Sequence, residues 1–491
     1  MFFSNKINRI AVFMYFILII SNSYSQQLIS VKKYTEAEIS HILIEGLKGI
    51  YDIVALKIVY STTDHKGDKT SASGLLLIPK VPKLENIPFV VYEHGASFNR
   101  HFVPSELQYE ADHAAYFASN NYITIAPDYL GMGESPGFHP TTNAITEATA
   151  TIDMIRATRH YFKDSLNIRI RNDIYITGYS QGGHAAMATH KYIEENNLTA
   201  EFRIKASAPC SGAYSLSGVM WDYILYSKEI MYCSPEGLIN NILSCQYVYG
   251  NLYKQTSDYF KEPYDSLIDA YIENDRDFGL NNYFPLDLNS YIHDSVFVNG
   301  MNNPDHPLLQ DLRKNDVYNW KPEAPVKMYY STADEMVPYQ NAITALSEMI
   351  KNGAKEVAAI EVSSTLGHSA ALVPAMQLVL KWFKEIESGN SQSIKKISNK
   401  INRGNLSLTV FPNPVNDDLY ITLNTNSNDN IQSCLYDLNG RLLHAFPAQK
   451  IKNNNPTLHY NFNGLLTAKQ LYIINIRCSG YQINAKFSAH K

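Results

Sequence analysis

Ile174-Tyr-Ile-Thr177 runs directly into Gly178-Tyr179-Ser180-Gln181-Gly182-Gly183, and the residues that follow, His184 to Glu195, carry a helical spacing of apolar positions. The β-branched and aromatic residues ahead of the first glycine read as a buried strand. Three fixed positions of the Gly-x-Ser-x-Gly kind recur by chance in roughly one chain in six of this length, so the match alone says little. The flanking strand and helix give it meaning. A side chain at either glycine would collide in so tight a turn, and the helix N-terminus behind the serine favours developing negative charge. A serine attacks an acyl carbon only when it projects from the backbone and a base removes its proton. Ser180 is expected to be such a nucleophile, against the plain alternative of a turn serine that caps a helix.

A base and an acid should follow downstream, each at the C-terminal end of a strand. After the strand-like Val326–Tyr330 comes Ser331-Thr-Ala-Asp334-Glu335-Met-Val337-Pro338, and after Val357–Val362 comes Ser363-Ser-Thr-Leu-Gly367-His368. Asp334 is expected to fix the tautomer of His368, and His368 to take the proton of Ser180 and deliver it to the leaving group. Glu335 competes for the acid role. Asp128 and Asp305 are weaker alternatives, since neither follows a strand downstream of the serine. Two N–H donors are needed for the oxyanion. The backbone of Gln181 should supply one and the loop Glu93-His94-Gly95-Ala96-Ser97 the other, with Ala96 preferred and Ser97 behind it. His94 and His184 read as buried, packed histidines. The Gly-rich run Pro127–Ser135 lacks the ending of a phosphate cradle and reads as a turn beside the cleft.

Outward from these loops, residues 26–387 alternate strand-like runs with helix-period segments, the pattern of an α/β sheet. The first strand is expected at Ile53–Val59. Ser211 to about Pro322 interrupts the alternation with a long, Tyr- and Asn-rich stretch of helical period. It reads as an insertion over one edge of the sheet, a cap of residues 211–322. Most of its tyrosines should pack that cap; some, with Trp221, are candidates to line an apolar pocket. Residues 388–405 turn to Ser, Asn, Lys and Gly and read as a linker. From 406 to 491, seven short alternating runs, with Asn439-Gly440 between two of them, predict a small all-β sandwich.

Residues 1–25 have the parts of a secretory signal: Lys6 and Arg9, an apolar run from Ile10 to Ile20, and small residues before Gln26. That run is about half the length a spanning helix needs, and no later stretch suffices, so no transmembrane segment is expected after cleavage. In an exported chain Cys233 and Cys245 are candidates for a disulfide, with Cys210 a third possible partner. The 491 residues are 45% apolar and 18% charged, which excludes a mainly disordered chain, and a net charge of −5 argues against nucleic acid. No CxxC pair or HExxH helix announces a metal, and no cofactor is expected.

The ordered set Glu93-His94-Gly95-Ala96, Asp128-Tyr-Leu-Gly131-Met-Gly133, Gly178-Tyr-Ser180-Gln-Gly182, Asp334-x-x-Val337-Pro338 and Gly367-His368 resembles the α/β-hydrolase superfamily, and within it the secreted lipase/esterase group with a large cap. The resemblance spans residues 40–387 and implies a cofactor-free serine hydrolase of carboxylic esters acting on a small-molecule ester or lipid. It maps nucleophile, acid and base onto Ser180, Asp334 and His368. His-Gly-Ala-Ser stands where many esterases have His-Gly-Gly-Gly. A serine peptidase of the prolyl-peptidase type and a non-catalytic binding protein are the competing readings. The region from Leu408, with Val410-Phe-Pro412-Asn413-Pro414-Val415, Asp418-Leu-Tyr-Ile421 and Tyr436-Asp437-x-Asn439-Gly440-Arg441, resembles the type IX (Por) secretion sorting domain of Bacteroidetes. That implies export through the periplasm, the type IX machinery as partner, and release or display at the outer surface.

Overall fold

The computed structural model describes residues 28–389 and 407–489, apart from 45–46, 48, 227–233, 297–302, 304, 412–417, 425–429, 438–441, 451–456, 463, 468–470 and 479–480. The expected secretory segment 1–25, nearly all of the expected linker 388–405, the Asn439-Gly440 pair and Cys233 lie outside the described residues.

Nine strands form one mixed sheet: β1 (Leu28–Lys33), β2 (Ile53–Thr63), β3 (Lys69–Pro79), β4 (Phe89–Glu93), β5 (Ile123–Pro127), β6 (Asp173–Tyr179), β7 (Arg203–Cys210), β8 (Val326–Ser331) and β9 (Val357–Ser363). Their spatial order is β1-β2-β3-β5-β4-β6-β7-β8-β9. The pairs β1/β2, β2/β3 and β3/β5 are antiparallel, and every later pair is parallel. Parallel strands need crossovers, and covering helices bury both faces of such a sheet. Successive residues therefore serve opposite cores. Val90, Tyr92 and Tyr175 pack with the helices Ala111–Ala118 and His368–Glu387. Phe89, Val91, Ile174 and Ile176 pack on the other side with the helices Ala144–His160 and Gln181–Glu195.

The expected strands and helices are present. One more strand, β1, precedes them at an edge and among the described residues pairs only with β2; five of its six residues are exposed, so it carries little of the apolar signal by which strands are read.

The insertion leaves the sheet after β7 and returns at β8. These are neighbouring interior strands. Its residues Leu216, Met220, Trp221, Leu238, Ile242, Leu308 and Leu312 share one cavity with Ser180, which puts the cap over the carboxyl ends of the parallel strands. More than half of its described residues are helical, including Pro235–Tyr249, Tyr264–Glu273 and Pro307–Lys314. It carries its own core, in which Tyr259, Tyr271 and Tyr291 are buried with Ile239, Phe260 and Ile268. Tyr223, Tyr249, Tyr253 and Tyr264 pack against that core, while Tyr247 and Tyr283 are exposed. Of the aromatic residues expected at the pocket, Trp221 alone among the described residues lines it. Cys210 and Cys245 are buried free thiols.

The C-terminal strands form a three-stranded and a four-stranded antiparallel sheet. Leu419, Ile421, Leu458 and Tyr460 of the first share a core with Ile431, Leu435, Ile474 and Ile476 of the second, the arrangement of a small β-sandwich. Among the described residues no helix is long and apolar enough to cross a membrane.

Candidate active site

β6 ends at Tyr179, the helix begins at Gln181, and Ser180 between them has φ 58° and ψ −120°. An L-residue adopts that backbone only when its surroundings over-determine it. Here they do. A Cβ on Gly182 would stand 1.9 Å from the carbonyl oxygen of Glu93, and one on Gly178 would stand 2.4 Å from that of Gly182. The two glycines let β6, its helix and β4 approach to backbone contact, and that approach forces the corner which lifts Ser180 out of the chain. Ser180 lines a cavity of about 330 Å³.

Asp334 and His368 sit past the ends of β8 and β9, and both are buried. His368 Nδ1 lies 2.7 Å from Asp334 Oδ2, so the ring N–H there donates to the carboxylate. Asp334 Oδ1 accepts the backbone N–H groups of Met336 (3.0 Å) and Val337 (2.8 Å). One oxygen thus caps the local turn while the other holds the imidazole. Glu335 faces the other way: its Oε2 accepts the backbone N–H of His368 at 2.9 Å. Asp128 is buried elsewhere, accepting from Ser73 and from the N–H of Ser105, and Asp305 is exposed in the cap.

Ser180 makes no hydrogen bond to His368 among the described residues; such contacts commonly close only around substrate. The neighbour of Ser180 does reach His368. Tyr179 donates its hydroxyl to the His368 carbonyl at 2.6 Å, and the two ring centroids are 5.1 Å apart. The loops after β6, β8 and β9 are in this way tied to one another. Spacing gave no hint of Tyr179 as that tie, because its partner is 189 residues away.

Ala96 and Gln181 line the same cavity as Ser180. The N–H of Gln181, first in its helix, has no acceptor four residues back within the helix. The loop bearing Ala96 is held from behind. Gly95 donates its N–H to Glu110 at 3.1 Å, and Tyr129 donates its hydroxyl to the carbonyl of His94 at 3.0 Å. His94 is fully buried with Nδ1 2.7 Å from the Gly95 carbonyl, and burial pushes it down to about 4, so it is a neutral structural ring. His184 is buried too, against Glu147 and the Asn315 carbonyl. The rest of the cavity is mostly apolar, from Phe98, Leu216, Met220, Trp221, Leu238, Ile242 and Val337, with Thr141, Glu236 and Asn241 as polar points. No cluster of metal-ligating side chains occurs among the described residues.

Residues 409–489 match the family described as "Secretion system C-terminal sorting domain". A secreted triacylglycerol lipase, LIP4 of Malassezia furfur, is 24% identical over 71% of this chain; the match spans 66%, just under two thirds, of that lipase. The rice cell wall degrading esterase LipA from Xanthomonas oryzae superposes with a TM-score of 0.65 at 26% identity, covering 74% of this chain and 99% of that one. A putative hydrolase from Legionella pneumophila gives 0.66 at 24% identity over 75% of this chain and all of that one. Candida antarctica lipase A in its closed state shares the fold, with a TM-score of 0.57 at 15% identity over 75% of this chain and 83% of that one. The nine-stranded body therefore has the α/β-hydrolase fold of these lipase- and esterase-like neighbours, and the chain ends in a secretion-system sorting domain that directs it out of the cell.

Proposed function

We propose that this protein is a serine hydrolase of carboxylic esters that works through an acyl-Ser180 intermediate. The observation that carries the reading is the 2.7 Å Asp334–His368 contact in the loops that Tyr179 joins to the strained Ser180 corner. With Nδ1–H committed to Asp334, His368 offers Nε2 as the base. It removes the hydroxyl proton as Ser180 Oγ bonds to the acyl carbon, and the carbonyl electrons move onto oxygen. The N–H groups of Gln181 and Ala96 stabilise that oxyanion. Collapse expels the alcohol, which takes the proton from His368. Water then repeats the sequence against the acyl-enzyme, releasing the acid and restoring Ser180. No cofactor takes part.

The domain reading goes with it: a secretory signal at 1–25, a catalytic body at 26–387 with a cap at about 211–322, a linker at 388–405, and a sorting domain at 406–491 handed to the type IX machinery. The curated lipase and the superposed esterase support an ester as substrate. A cavity of about 330 Å³ is at the lower end of small-molecule sites, which run from about 300 to 1,000 Å³, and favours short acyl groups. Purified protein should turn over p-nitrophenyl butyrate faster than the palmitate ester and leave proline p-nitroanilide untouched. Cleavage of the anilide alone would replace the esterase by a peptidase. Inertness to all three, with no labelling of Ser180 by a fluorophosphonate, would leave a binding protein.

A further inference from the structure

The helix behind Ser180 is held by one buried carboxylate. Glu147, in Ala144–His160, places Oε1 3.0 Å from Gln181 Nε2 and Oε2 2.7 Å from His184 Nδ1. The remaining contacts of the Gln181 amide match in polarity. Thr141 Oγ1 donates to its Oε1 at 2.8 Å. His139 Nδ1 lies 2.9 Å from the Leu130 carbonyl and so carries the ring proton, which leaves Nε2 to accept the second Gln181 hydrogen at 3.1 Å. Burial, reinforced by the charge of Arg276, pushes His139 down to about 3, so the ring is neutral as this arrangement requires. On the far side His184 Nε2 donates to the Asn315 carbonyl at 2.8 Å, at the end of the cap helix Pro307–Lys314. Burial disfavours charge on His184, yet Glu147 outweighs it and holds its pKa above the ordinary value.

Gln181 and His184 occupy the first turn of one helix, so a clamp on both fixes that turn's direction as well as its place. Every member of the clamp is buried, and three of the four elements that supply it are not in the serine's own helix. A site works only when its donors are held to about 0.5 Å and 10–20°, and backbone donors take that precision from what packs behind them.

We propose that Glu147 is a positioning residue for catalysis: by gripping the side chains of Gln181 and His184 together, it aims the Gln181 backbone N–H at the oxyanion. This rests on the ester-hydrolase reading above. Glu147→Ala, Glu147→Gln and wild-type protein should be compared for kcat and KM on p-nitrophenyl butyrate, thermal unfolding, and the rate at which a fluorophosphonate labels Ser180. Glu147→Ala is expected to lower kcat about tenfold to a hundredfold with KM nearly constant, short of the ~10²–10³ of a deleted donor. Glu147→Gln should stay within about threefold of wild type, because its carbonyl still accepts from Gln181 and its amide can donate to Nδ1 of a neutral His184. A folded Glu147→Ala enzyme with wild-type kcat, or a loss confined to KM, overturns the proposal. Should that variant not fold, Gln181→Met, which keeps chain length without the amide, must show the same kcat loss, and full activity there overturns it equally. Wild-type protein inert to esters defeats the esterase reading instead. The labelling rates then decide on Glu147 alone, equal rates in wild type and Glu147→Ala counting against it.

Discussion

Asp334 and Glu335 are consecutive carboxylates that bond the same residue in different ways. Asp334 Oδ2 meets the imidazole of His368 at 2.7 Å, while Glu335 Oε2 takes its backbone N–H at 2.9 Å. One holds the ring by its Nδ1–H; the other holds the backbone where its helix begins.

Exchanging the two should separate these roles. Asp334→Asn is expected to lower kcat about 10³–10⁴-fold, because an amide facing Nδ1 favours the wrong tautomer. Glu335→Gln keeps an oxygen for the His368 N–H and should cost less than about tenfold. Steady-state kinetics on one ester settle it, and equal losses would reassign the acid.

Ser180→Ala should abolish turnover by several orders of magnitude with little change in stability. Ser180→Gly tests the backbone as well. Glycine adopts φ 58° without steric cost, so the relieved strain outweighs its added chain entropy. The Ser180→Gly variant should be inactive yet about 1 kcal/mol more stable, visible as a rise of a few degrees in Tm. A lower Tm would mean that the corner stores no strain.

Gly182→Ala should do the reverse. Its Cβ would have to share space with the Glu93 carbonyl oxygen at 1.9 Å, and backbone does not yield as a flexible side chain does. A loss of roughly 3 kcal/mol or more in denaturant unfolding is expected, with activity falling as the helix behind Ser180 is pushed off β4.

Glu93 predicts a pH dependence of stability. Fully buried between Thr151 (2.8 Å) and Thr189 (3.2 Å), its carboxyl is pushed up to about 8 by burial, with Glu147 adding to the shift. The unfolded chain releases this proton near its ordinary pKa of 4.5, while the folded chain keeps it until about 8. The native state therefore binds more protons in between, and stability from this group, complete below pH 4.5, declines as pH rises toward 8. Glu93→Gln should flatten the profile, gaining on wild type at about pH 8 relative to about pH 5 in chemical denaturation.

Deleting residues 406–491 should leave esterase turnover intact and hold the enzyme in the periplasm. Activity in the culture medium after that deletion would remove the sorting role.

The sequence carried much of this molecule on its surface. Ile174–Thr177 alternates between two covered faces, so its burial was readable from residue type alone. The seven short strands after Leu406 were legible because period-2 patterning and their own sandwich core involve no distant segment. β1 was not, since an exposed edge strand spends its pairing on backbone groups that every residue has. That most of the cap's tyrosines would pack the cap was readable from its composition, but which ones, such as Tyr259, Tyr271 and Tyr291, was not, because composition does not say which face of a helix turns inward.

By itself, then, the sequence determined the local events: which runs become strands, where a glycine-flanked serine must turn a corner, and which loops bear an acid and an imidazole. Short-range sterics and hydrophobic period govern those choices, and both are written within a dozen residues. The tertiary structure alone decided which of two adjacent carboxylates meets the ring, that Tyr179 ties the strand before Ser180 to His368, and that Glu147 sits behind Gln181. Those are contacts across 34 to 189 residues, and only packing of the sheet and its helices fixes such distances.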